Sequence, residues 1–269
     1  MPWSCSRRGD RTVPSADGVN IAYHVEGGGE PALVFVHGWS CNRSFWDGQV
    51  SAFARTHKVV AVDLAGHGAS GRGRKAWTIP AFGADVAAVI KKEKLGKIIL
   101  IGHSMGGDVI VEAARLCPGQ VIGLIGADTF HDFTETAATE EVEGFLLPFK
   151  ENFTAATTEF VRSMFRPTAS PALVAKVTKT MTATRPAIAI AALKATYLYS
   201  PAAALKELNL PVKGIESDLY GVNVDGNRRV VPGFEVKMMA GTGHFIQIED
   251  PATFNRLLLE TIDGLVNGR

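Results

Sequence analysis

Short, nearly unbroken apolar runs alternate with longer segments whose apolar residues recur every three or four positions. Ala32 to Val36, Lys58 to Val62, Lys97 to Ile101 and Val121 to Ala127 are runs of the first kind. They are rich in β-branched residues, as expected of parallel strands covered on both faces. Val19 to Val25 alternates and predicts an edge strand before the turn at Gly27-Gly28-Gly29. Between the runs, Ser44 to Ala54, Ile79 to Leu95 and Ser104 to Cys117 carry helical spacing, for example Phe82, Val86, Val89 and Ile90 on one stripe. This alternation predicts an α/β domain with a doubly wound, mostly parallel sheet.

The pattern changes after Phe130. From 131 to about 200 the chain reads as helices without intervening strands. Ser170 has the character of an N-cap with Pro171 at the first helical position, and a further helix begins at Pro186. Strand character returns at Val212 to Ile215 and at Phe234 to Met239, and Pro251 to Val266 predicts a last helix. The expected organisation is a core of residues 1–130 and 201–269, with residues 131–200 inserted as a helical cap over the strand ends.

The strongest chemical signal is Gly102-His103-Ser104-Met105-Gly106. It stands between a predicted strand and a predicted helix, the context the G-x-S-x-G motif requires. A serine on such a turn is held in a strained conformation with its hydroxyl exposed, next to the positive end of the following helix. The flanking glycines leave room for the turn. The N–H of Met105 becomes a candidate oxyanion donor.

Two more motifs follow strands: His37-Gly38-Trp39 and Asp63-Leu64-Ala65-Gly66-His67-Gly68-Ala69-Ser70. Together with Gly102-His103-Ser104-Met105-Gly106-Gly107, in this order, they resemble the α/β-hydrolase family. The likeness implies Ser104 as nucleophile and the Trp39 N–H as a second oxyanion donor. It also implies a structural turn at Asp63, His67 and Ser70, and a structural role for the side chain of His37. Of seven histidines, His244 alone has the order and setting of the family's general base, in Gly243-His244-Phe245. His103 should point elsewhere on its turn, and His131 reads as a hinge residue.

The acid departs from the usual pattern. In most relatives it follows the strand after the insertion. Aligned that way, with Ser217 as the glycine equivalent, the position is held by Tyr220, which carries no charge at neutral pH. Asp218 comes two residues early and Asp225 five late. Asp128, directly after the strand that follows the nucleophile helix, resembles the placement in one branch of the haloalkane dehalogenases. Asp128 is therefore the expected acid and Asp218 the alternative. Serine at the turn implies an acyl-enzyme, unlike the aspartate used by dehalogenases and most epoxide hydrolases on this fold.

Composition restricts the partners. The net charge is +1 and charged residues are 20% of the chain, so no nucleic-acid partner is expected. Arg72, Arg74, Lys75, Lys91 and Lys92 read as solvated surface. No apolar run reaches the ~18 residues of a membrane span, and Met1 to Arg11 lacks the apolar region of a signal peptide. Cys5, Cys41 and Cys117 are odd in number and form no C-x-x-C pair. They argue against disulfides and zinc and for the cytoplasm. No metal-ligand spacing is evident, and no cofactor is expected.

The insertion holds many aromatics, among them Phe145, Phe149, Phe160 and Tyr197. Most should pack it onto the sheet, and a few should line an apolar pocket for a small or medium ester. They do not distinguish a subunit interface from a cap. The expectation is a carboxylic ester hydrolase. A C–C bond hydrolase or other acyl-transfer enzyme, or a slow-turnover ligand receptor, are the alternatives.

Overall fold

The computed structural model describes residues 9–268; the readings of Met1 to Arg11 as a non-signal segment and of Cys5 fall largely outside them. The strands are β1 (Asp10–Pro14), β2 (Asn20–Gly27), β3 (Ala32–Val36), β4 (Lys58–Val62), β5 (Ile98–His103), β6 (Val121–Ala127), β7 (Val212–Ser217) and β8 (Glu235–Met239). They form one sheet in the order β1-β2-β4-β3-β5-β6-β7-β8. β1 and β2 run antiparallel to their neighbours, and all other pairs are parallel. This is the α/β architecture expected from the sequence.

Helices flank the sheet: α1 (Asp47–Phe53), α2 (Ile79–Lys92), α3 (Met105–Leu116), then α4 (Thr139–Glu151), α5 (Phe153–Ser163), α6 (Pro171–Thr182) and α7 (Pro186–Tyr197) without a strand between them. α8 (Ala202–Leu208), α9 (Val224–Val230), α10 (Ile246–Glu249) and α11 (Pro251–Val266) complete the chain. Among the described residues no single helix is long and apolar enough to cross a membrane.

The buried runs explain the layers. Every residue of β3 and β5 is buried. Strand side chains alternate between faces, so Leu33, Phe35, Ile99 and Ile101 join α1 and α11 residues such as Phe53 and Leu258. Val34, Val36 and Leu100 join α2 and α3 residues such as Phe82 and Val109. Parallel strands in register also end together. Val36 pairs with Gly102, Ala127 with Ile215, and Ser217 with Met239. The loops that follow β3, β5, β6, β7 and β8 therefore leave from one edge. That edge includes the reversal of strand order between β3 and β5, the crevice where α/β sheets hold ligands.

Two sequence expectations are corrected, and a third holds in position. β2 is not the edge; β1 covers it, Val13 opposite Ile21. β1 buries only Val13, and its other residues are polar or proline, so it carries no alternation to read. Ser170 stands at the N-cap of α6 with Pro171 at the first position, as expected, although its side chain makes no cap hydrogen bond. Arg72, Lys75, Lys91 and Lys92 are exposed, whereas Arg74 is buried. Its guanidinium donates to Asp85 and Asp17, and Ser15 Oγ and the Ala65 N–H also donate to Asp85. Burial pushes the Asp85 carboxyl upward and Arg74 counters it.

Removing one member of a buried ion pair strands its partner, so Arg74→Ala is expected to cost about 3–5 kcal/mol. Urea denaturation at neutral pH checks this; a loss below about 1 kcal/mol would contradict the buried pairing.

Candidate active site

Ser104 stands between β5 and α3 with φ 52° and ψ −128°, a conformation that costs a non-glycine residue about 1–3 kcal/mol. The surroundings enforce it. Ser104 N–H donates to Ala127 O at 3.2 Å, while its carbonyl accepts from Gly107 N–H and Thr129 Oγ1, each at 2.7 Å. A Cβ on Gly102 would lie 2.2 Å from Gly106 O, and one on Gly106 2.5 Å from Val36 O. Both glycines are thus required by close backbone approach. Met105 opens α3, and a first-turn N–H has no acceptor within its helix. Gly38 presses against the other side of the turn; a Cβ there would lie 2.9 Å from Ser104 Cβ. The segment carrying Trp39 is thereby brought beside Ser104.

His244 follows β8, and its Nδ1 lies 2.6 Å from Asp128 Oδ2. With Asp128 ionised, Nδ1–H donates, which leaves Nε2 as the basic nitrogen. Asp128 directly follows β6 at φ 49° and is fully buried. Its Oδ1 accepts from the Ser217 N–H at 2.6 Å. Burial opposes its ionisation, but His131 and His244 outweigh burial and hold the carboxyl well below the usual carboxylate range. Ser104, His244, Trp39 and Met105 line one cavity of about 460 Å³.

Asp218, the alternative acid, is placed differently. It accepts from the Gly241 N–H at 2.9 Å and from Arg166, and is 43% exposed in its side chain. Its two-residue offset follows from β7 continuing through Ser217, which carries Asp218 toward the loop after β8. Asp225 sits in the first turn of α9. Tyr220 lines the cavity, its ring 6.1 Å from that of His244, and burial pushes its hydroxyl up to about 12.

The histidines separate by environment. His37 Nε2 accepts from the Leu64 N–H at 3.1 Å and its Nδ1 pairs with Gly38 O at 2.8 Å. Burial lowers it to about 4, so it is a neutral strut. Asp63 accepts from Arg43 and the Ala69 N–H, and Ser70 Oγ bridges Asp63 O and the Ala22 N–H. That segment is a braced turn. His103 does not simply point away: its Nε2 donates to His244 O at 2.9 Å and its ring lies 4.8 Å from that of His244. Burial lowers it to about 3.

The segment between α5 and α6 reaches the same loop. His244 N–H donates to Met164 O at 2.8 Å, Arg166 Nε to Thr242 O at 2.9 Å, and Phe165 stacks on Phe245 at 5.1 Å. A Cβ on Gly243 would lie 2.5 Å from Met164 O. Sequence reasoning missed these partners because a backbone acceptor has no residue signature. It also missed Glu216, whose carboxylate accepts from the Thr129 and Phe130 N–H groups at 2.7 and 3.2 Å. The donor atoms of Asp128, His131 and Glu216 lie within 4.8 Å of one another, close enough to hold a metal ion. However, Asp128 already binds His244 and Ser217, and Glu216 two amides.

The matches to known proteins give the family and the fold. Residues 33–257 match the model of the alpha/beta hydrolase family, and the chain belongs to that family. It is 28% identical over 260 residues to the pimeloyl-[acyl-carrier protein] methyl ester esterase of Sodalis glossinidius, covering 90% of this chain and 97% of that protein. A non-heme chloroperoxidase of Streptomyces lividans is 38% identical over 114 residues, 41% of each chain. Among solved structures, the thermophilic esterase of Thermogutta terrifontis superposes with a TM-score of 0.83 at 20% identity over 96% of this chain and 99% of that one. Est816, described as an N-acyl homoserine lactone degrading enzyme, gives 0.79 at 23% over 93% and 99%.

Asp128→Asn is expected to lower kcat by roughly 10⁴-fold, since it disrupts the tautomer of His244, whereas Asp218→Asn stays within about fivefold of wild type. Steady-state kinetics of the two variants decides; a large loss confined to Asp218→Asn would reverse the assignment.

Proposed function

We propose that the protein is a serine hydrolase cleaving carboxylic esters of small or medium apolar substrates. Ser104 is the nucleophile, His244 the general base and Asp128 its acid. The observation that carries this reading is the 2.6 Å Asp128–His244 hydrogen bond at a cavity that also exposes the strained Ser104. A serine hydroxyl is a weak nucleophile at its free pKa and needs such a base.

Ser104 Oγ attacks the ester carbonyl carbon while His244 Nε2 takes its proton. Asp128 stabilises the imidazolium. The N–H groups of Met105 and Trp39 receive the developing oxyanion, where a lost donor costs about 10²–10³ in rate. His244 returns the proton to the leaving alkoxide as the C–O bond breaks. Water, deprotonated by His244, then releases the acid and regenerates Ser104.

Residues 131–200 act as the helical cap of the core formed by 1–130 and 201–269. Phe160, Met164 and Leu193 from that cap line the cavity with Trp39 and Phe245, which supports an apolar acyl or alcohol group. The relatives named above as an esterase and a lactone-degrading enzyme both act on ester linkages, in keeping with this chemistry. Free, buried Cys41 and Cys117 support a reducing, cytoplasmic setting.

A panel of p-nitrophenyl esters of increasing acyl length tests the proposal. Turnover is expected on short and medium chains, and Ser104→Ala should lose at least about 10⁴-fold. Activity surviving that substitution contradicts the nucleophile. A stoichiometric burst without turnover points instead to a ligand receptor.

A further inference from the structure

Asp128 faces two imidazoles. His244 binds Oδ2, and His131 Nε2 stands 3.6 Å from Oδ1 and 3.4 Å from Glu216 Oε2. The His131 nitrogen is buried and makes no hydrogen bond; it sits at ion-pairing distance from both carboxyl groups. His131 also lines the catalytic cavity, its ring 5.3 Å from that of Tyr220. Backbone bonds fix this placement, because the Asn223 N–H donates to His131 O at 2.8 Å and Glu216 grips the amides of Thr129 and Phe130.

We propose that His131 is a positioning residue that acts through Asp128: as an imidazolium it draws on the same carboxylate that stabilises protonated His244. This rests on the assignment of Ser104, His244 and Asp128 above. Two cations on one carboxylate oppose each other, so a charged His131 makes the imidazolium of His244 harder to form and keeps more of the base neutral as pH falls.

The charges around both rings support this sign. Facing His131 are Asp128 from the end of β6, Glu216 from β7, Glu135 from its own loop and Tyr220 from the loop after β7. Burial works against the charge on His131, and Asp128, Glu216 and Glu135 outweigh it and raise its pKa. Facing His244 are Asp128, the neutral His103, Glu249 and Tyr220. Burial pushes Glu216 up to about 8, with His131 opposing and Asp128 adding.

The acid limb of the kcat/KM profile reports the free enzyme's essential base. With the preferred p-nitrophenyl ester, His131→Gln is expected to move that limb to higher pH by roughly half to one unit. Its plateau kcat should stay within about threefold of wild type. A fall of His131→Gln at all pH values without displacement of the limb, or displacement to lower pH, overturns the proposal. Should His131→Gln fail to fold, the imidazole NMR titration of the wild-type chain reads the same coupling. His131 should titrate above an ordinary histidine and drop in Asp128→Asn; no drop overturns it. Ser104→Ala keeps the two questions apart, since its residual activity bears only on the nucleophile.

Discussion

The hydrogen bond between Asp128 and His244 joins residues 116 positions apart, and the site depends on it. It exists because β6, β7 and β8 end in register, so the residue after β6 and the loop after β8 meet above β7. Asp128 reaches it from a left-handed backbone, a conformation an aspartate tolerates better than most residues. The Ser217 N–H on Oδ1 and the Asp128 N–H on Ile215 O fix the carboxylate from the β7 side. In return, Glu216 binds the amides that follow Asp128. The two strand ends thus exchange side-chain and backbone partners.

The loop that carries His244 is held as firmly from above. Met164, Phe165 and Arg166 give it a backbone acceptor, a stacked ring and a guanidinium donor. The packing of residues 164–166 and the placement of His244 are consequently one problem. Asp218 belongs to that clamp through Arg166 and Gly241. Of the two acids the sequence offers as alternatives, Asp128 is a buried carboxylate at the imidazole and Asp218 an exposed one on the loop.

Legibility in the sequence follows the range of the physics. The central strands were readable because burial on both faces leaves unbroken apolar runs. Ser104 and the loop of His244 were readable because tight turns demand glycines at fixed offsets. Asp128 was only a candidate, since its partner lies far along the chain and strand register decides which acid meets the imidazole. β1 and Arg74 were missed for opposite reasons: a polar edge strand has no alternation, and a guanidinium buried between Asp17 and Asp85 looks like any surface arginine. His131 read as a hinge because nothing local reveals that two carboxyl groups converge on its ring.

The central claim is that Ser104, activated through His244, forms a covalent acyl-enzyme. Intact-protein mass spectrometry with a fluorophosphonate ester, followed by peptide mapping, tests it most directly. The account predicts one adduct per chain on Ser104, formed far more slowly in Asp128→Asn and absent from Ser104→Ala. An adduct on another residue, or undiminished labelling of Ser104→Ala, would contradict it.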